Sequence, residues 1–211
     1  CNAILPVSLG VAKAAAKSKG KPLYQYLKEI YKNSGEFKFP TPLFNILNGG
    51  KHAQNNLSFQ EFMVIPGMGF SFERKLEIGV DCYKKLKDIL AEKDLSTGVG
   101  DEGGFAPQDV SVTSSLKMLG QGVENAGYKL GEDVFLGTDV AAGSFYDSKK
   151  NRYVLEDEDA IFTREEFFAF YEGLLKDYPL IYTEDPLHES DFDSWSSFFV
   201  KFNEKTMVVG D

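Results

Sequence analysis

The sequence predicts an α/β fold whose mainly parallel sheet is covered on both faces, either open or closed into a barrel. After the break "SGEFKFPTP", where Pro40 and Pro42 interrupt any regular element, short apolar runs alternate with longer amphipathic segments, the pattern of βα units. Three of those runs end on an acid: "VFLGTD" on Asp139, "LIYTED" on Glu184 with Asp185, and "TMVVGD" on Asp211. The 211 residues are 43% hydrophobic, enough to bury a sizeable core.

The elements follow in order. Ala3 to about Lys17 is Ala-rich and reads as a helix that Gly20 ends. Pro22 suits the first turn of a second helix, in which Leu23, Tyr26, Leu27 and Ile30 share one face. Beyond the proline break the expected strands are "LFNILN", "EFMVI", "VFLGTDV", "LIYTE" and "TMVVG". Helices are expected near 71–93, 111–126, 164–176 and 191–203, and Thr163 with Glu166 forms a capping box at the start of the third. "LFNILN" and "EFMVI" have no helix between them, so the alternation starts irregularly.

Charge and cysteine content narrow the function. A formal net charge of -9 and a pI near 4.9 argue against nucleic acid or an anionic membrane surface, which reward clustered Lys and Arg. Cys1 and Cys82 are too few for a disulfide framework and fit a reducing compartment. No apolar run is long enough to span a membrane, and "AILPVSLGVA" lacks the basic segment of a signal peptide. The chain begins at Cys1 and stops at Asp211 directly after a strand-like run, so it is expected to be part of a longer polypeptide.

In a parallel barrel the C-terminal ends of the strands converge, which would point Asp139, Glu184 and Asp211 into one space. Three hard oxygen ligands there suit Mg²⁺ or Mn²⁺. An acid after a strand is also a common helix cap or turn residue, and Asp185-Pro186 is itself a turn signal, so Glu184 is the stronger ligand of that pair. His52, after Gly49-Gly50, could meet an anionic substrate or move a proton; it is otherwise an ordinary loop histidine, and His188 reads as surface. Gln60 and Glu61 open an apolar run, an awkward place for a carboxylate unless it is paired. "GVGDEGGFAP" sets Asp101 and Glu102 among glycines. If Glu61 and Glu102 face one pocket, each disfavours ionisation of the other, and one of them would have a raised pKa that suits a general acid.

The ordered set "NAILPVSLGVAKAAA", "FPTPLFNILNGGKHAQNNLSFQEFMVIP", "GVGDEGGFAP", "YTEDPL" and "VVGD" resembles enolase over essentially the whole chain. The resemblance implies a partial TIM barrel starting β-β-α-α and continuing in βα units. Residues 1–38 would be the helical tail of the family's N-terminal α+β domain, and residues 39–211 the first part of its barrel, with about five strands. It implies a Mg²⁺-dependent lyase, binding one or two ions, that interconverts 2-phosphoglycerate and phosphoenolpyruvate plus water in glycolysis and gluconeogenesis. By motif, Glu102 becomes the acid, Glu61 its supporting carboxylate, and Gln60 and His52 substrate contacts. Asp139, Glu184 and Asp211 become the metal ligands, Glu184 and Asp211 also lying at the substrate. The family form is a cytoplasmic homodimer, with members also reported at cell surfaces.

The family's catalytic lysine, its phosphate-binding arginine and serine, and a further histidine and lysine follow the Asp211 motif; the loop serine for the second Mg²⁺ precedes Cys1. These 211 residues are therefore not expected to turn over substrate alone. The competing reading is a non-catalytic, enolase-derived binding or scaffold domain, which has no physical need for so many converging acids. A superfamily lyase or racemase acting on another carboxylate is a third reading, against which "GDEGG" speaks.

Overall fold

The computed structural model describes residues 2–211, with the side chain of His52 outside the description. The chain divides into two compact units, Cys1–Pro40 and Thr41–Asp211.

In the first unit, α1 (Ile4–Ser18) closes through Gly20, whose φ of 64° lets the Lys21 N–H reach back to the Ala16 carbonyl at 3.0 Å. Helix α2 (Leu23–Ile30) follows at once. Pro22 sits one position outside its first turn, as the N-cap, with its carbonyl accepting from the Tyr26 N–H at 3.1 Å. The ring nitrogen of a proline has no hydrogen to donate, and at a helix start none is missed.

The second unit is built on a five-stranded sheet of order β1-β2-β3-β7-β8. Its strands are β1 (Phe44–Asn48), β2 (Glu61–Pro66), β3 (Val134–Asp139), β7 (Leu180–Glu184) and β8 (Met207–Val209). Strand β2 is antiparallel to both β1 and β3, whereas β3, β7 and β8 are parallel. The connections explain this. The link 49–60, which carries the short turn Gly50–His52, brings β1 back into β2 with no intervening α-helix, and two helices, α3 (Phe72–Glu92) and α4 (Val112–Asn125), lie between β2 and β3. A pair of helices returns the chain to the end it left, so β3 reverses β2, whereas the single helices α5 (Arg164–Asp177) and α6 (Phe192–Phe202) keep their flanking strands parallel.

Helix α3 buries Ile78, Cys82, Leu86 and Ile89, and α4 buries Leu116, Leu119 and Val123, each at helical spacing. Cys82 is a free buried thiol whose pKa burial pushes up to about 12. A second layer is aromatic: Tyr153 and Phe167 stack at 4.4 Å and Tyr171 meets Phe198 edge-on at 4.9 Å. Each such side chain contributes about 1.5–3 kcal/mol by leaving water, and each well-set ring pair about 0.5–1.5 kcal/mol more.

The segment between β3 and α5 departs from the βα pattern expected there. It forms a separate three-stranded antiparallel sheet, β4 (Tyr146–Asp147), β5 (Arg152–Leu155) and β6 (Ala160–Phe162). Its turns use Asn151 and Asp159 at φ 55° and 49°, residue types that tolerate the left-handed region. Among the described residues no helix is long and apolar enough to cross a membrane.

Candidate functional site

Register across the main sheet builds the site. Asn48 lies opposite Glu61, Glu61 opposite Asp139, Asp139 opposite Glu184, and Glu184 opposite Val209. Residues opposite each other share a face, so these side chains form one row across five strands. The reversal of β2 explains why Glu61 at the start of a strand joins acids at strand ends: the start of β2 and the ends of β1, β3, β7 and β8 lie at the same edge of the sheet. Asp211, two residues beyond β8, is exposed, and its N–H donates to Asp185 Oδ1 at 3.0 Å. Asp185 is thus occupied in holding the Asp211 backbone.

Backbone strain is concentrated just beyond these strand ends. Asp185 follows Glu184 at φ 42°, and Ala141 stands two residues after Asp139 at φ 46°. A non-glycine residue in the left-handed region costs roughly 1–2 kcal/mol, and such strain gathers at functional sites. Here it turns the chain sharply, so that the Ala141 N–H donates to Asp139 Oδ1 at 3.1 Å and the Ala142 N–H to the Asp185 carbonyl at 3.1 Å.

Asp139 is 8% exposed and also accepts from Gln60 Nε2 at 3.1 Å, while Glu184 accepts from the Tyr182 hydroxyl at 2.8 Å. Burial, then the charges of Glu184, Asp185 and Asp211, raise the Asp139 pKa to about 7, against the Ala141 hydrogen bond that lowers it. Mutually repelling oxygen donors of this kind fit a hard divalent cation, whose charge would remove the repulsion. As the side chains are placed, no three His, Cys, Asp or Glu groups among the described residues are gathered to hold a metal ion. The donor chemistry fits, and the coordination shell is not closed.

The loop around Glu102 is fastened to the outer edge of β1. Phe105 N–H donates to the Ile46 carbonyl at 3.0 Å, and Asn48 N–H to the Phe105 carbonyl at 2.8 Å. Within the loop, Gly100 N–H bonds the Gly104 carbonyl at 2.8 Å. Tyr83, on α3, stacks on Phe105 at 4.3 Å and donates its hydroxyl to the Gly103 carbonyl at 2.9 Å. Gly103 has φ 87°, and a Cβ on Gly104 would strike the Asn48 side-chain oxygen and come within 3.0 Å of the Leu47 nitrogen. The glycine at 104 therefore answers to β1 packing.

Glu102 so held is hydrogen-bonded with Glu61 and accepts from Asn45 Nδ2 at 3.1 Å and Asn48 Nδ2 at 3.4 Å. Burial first, then that bond and the charges of Glu102, Asp139 and Glu184, push the Glu61 pKa up to about 8. The proton expected of this pair near neutral pH thus resides on Glu61. The structure brings Gln60, Glu61, Glu102, Asp139 and Glu184 together by contact or register, with Asp211 at the same sheet edge. His52 lies in the turn Gly50–His52 after β1, and its side chain is outside the described residues. Asn45, Asn48 and Tyr83 were not anticipated; the asparagines of "NILN" were the available signal.

A cavity of about 430 Å³ lined by Lys51, Gln54, Asp101 and Gln108 adjoins this loop but does not include the carboxylate row, so the row and not this hollow defines the site. The arrangement can hold a proton on one carboxyl, pass it to a second fixed beside it, and present several carboxylates to a cation. Compared with known families, residues 36–211 match the model of the enolase C-terminal TIM barrel domain. On that match, over most of its length and with the partial barrel in hand, the chain belongs to the enolase family.

Proposed function

We propose that this chain carries the acid and the metal ligands of a phosphopyruvate hydratase, which interconverts 2-phosphoglycerate and phosphoenolpyruvate plus water in glycolysis and gluconeogenesis. The observation that supports this best is the aligned row of Glu61, Asp139 and Glu184, with Glu102 hydrogen-bonded to Glu61. Asp139, Glu184 and Asp211 would hold Mg²⁺, which when bound supplies positive charge against the negative charge that builds on the substrate carboxylate. Glu61 keeps a proton near neutral pH and shares it with Glu102. In the dehydrating direction the carbon–oxygen bond breaks, and Glu102 gives the departing hydroxyl the proton that makes it water. Gln60 orients Asp139, and Gln60, Glu61, Glu184, Asp211 and His52 are proposed at the substrate. The base that takes the α-proton is expected beyond Asp211, as in the family pattern.

On this reading residues 1–38 are the tail of the family's N-terminal domain and residues 39–211 the first part of its barrel. The working protein is a cytoplasmic homodimer that binds no nucleic acid. The test is the rate of phosphoenolpyruvate formation, followed by ultraviolet absorbance, in the full polypeptide that carries these residues. Glu102→Gln should lower kcat about 10²–10⁴-fold with a smaller effect on KM. Full activity in that variant would remove Glu102 from the chemistry.

A further inference from the structure

We propose that Asn45 and Asn48 are the positioning residues of Glu102, set side by side by a bulge in β1; this rests on the reading of Glu102 as the proton donor. Along a regular strand, residues three apart point to opposite faces. In β1 the register slips between Asn45 and Leu47, so that Asn45 lies opposite Met63 and Asn48 opposite Glu61. Met63 and Glu61 are two apart on β2 and share a face, which means the extra residue at Ile46 has brought both asparagines onto the Glu61 face.

The consequence is two amide donors on one oxygen. Asn45 Nδ2 and Asn48 Nδ2 both reach Glu102 Oε2, at 3.1 and 3.4 Å. Glu102 is exposed and has three side-chain torsions, whose ordering costs about 1.5–2 kcal/mol. Two donors from a rigid strand remove much of that freedom before substrate arrives, which is what places a proton donor within reach of a leaving group.

Asn48 is fully buried, and its own backbone N–H is bonded to the loop that carries Glu102. The two amides accept a cost to do this. Asn45 Oδ1 and Asn48 Oδ1 are buried oxygens without a hydrogen-bond partner in the structure, a penalty of about 1–3 kcal/mol each. Turning either amide over would put its carbonyl against the Glu102 carboxyl, so the N–H groups face the acid. Apolar residues of similar size would spare the strand that penalty, and fold stability alone gives no reason for two asparagines here.

The experiment is a double-mutant cycle in the full polypeptide with Mg²⁺, measuring kcat and KM for wild type, Asn45→Ala, Glu102→Gln and the double variant. Asn45→Ala removes the unpaired Oδ1 together with the bond to Glu102, so its melting temperature should not fall below that of wild type. We expect Asn45→Ala to lower kcat by about 10-fold with KM within about 2-fold, and to add less than about 2-fold once Glu102 is glutamine. A wild-type kcat in Asn45→Ala, or the same fold-loss in both backgrounds, overturns the proposal while leaving Glu102 as the acid. Full activity in Glu102→Gln overturns the underlying reading instead, and the proposal with it. Asn48→Ala is measured in the same cycle; should it not fold, Asn45→Ala decides.

Discussion

Glu61 is the residue where sequence position and chemistry meet most directly. A carboxyl whose pKa is raised in the folded protein adds stability below its unfolded pKa, near 4.5, and that contribution is lost as pH rises through about 8. Glu61→Gln replaces the protonated form with a neutral amide of the same shape. Without metal, the variant should match wild type at pH 5 and exceed it at pH 8.5 by about 1 kcal/mol after allowance for solvent screening. Urea denaturation in a chelator at both pH values checks this, and equal differences at the two would contradict the assignment. That Glu61 is paired was readable from its place at the head of an apolar run. That the raised pKa falls on Glu61 was not, because burial and the Asp139 and Glu184 charges arise only from register.

At the scale of elements, the helices and main strands were legible because each has one apolar face and clear punctuation. The capping box at Thr163 forms as expected: its N–H donates to Glu166 Oε2 at 2.7 Å, and the Glu166 N–H donates to Thr163 Oγ1 at 3.1 Å. Thr163→Ala should cost about 1 kcal/mol in urea denaturation, and Thr163→Ser much less. Loss of the same size from both would mean that the methyl group matters and the cap does not. Strands β4 to β6 escaped notice because two to four residues are too few for period-2 alternation to stand out. The β1 bulge escaped for a different reason: a register slip belongs to two strands, and neither sequence holds it alone.

Across the whole molecule, the largest unexpected piece is also the one that ties distant parts together. The turn between β5 and β6 carries Asp157, which accepts from the Ser58 N–H at 3.2 Å, from the Ser58 hydroxyl, and from the Val112 N–H at 2.8 Å at the start of α4. Glu158 beside it accepts from the Thr113 N–H at 2.7 Å. Two acids thus satisfy orphan donors at a helix start and its partial positive charge. Ser58 and Asp157 are 99 residues apart in the chain, so closing this contact requires a large loss of chain freedom. The bond should form after the folding barrier has been crossed, which makes it a brake on opening. Asp157→Ala should therefore steepen the loss of the native state by raising the unfolding rate several-fold while the refolding rate stays near wild type, as a stopped-flow chevron would read. A slowed refolding arm would place the contact in the nucleus. Either way, how long this fold persists once formed is governed by an excursion outside its main sheet.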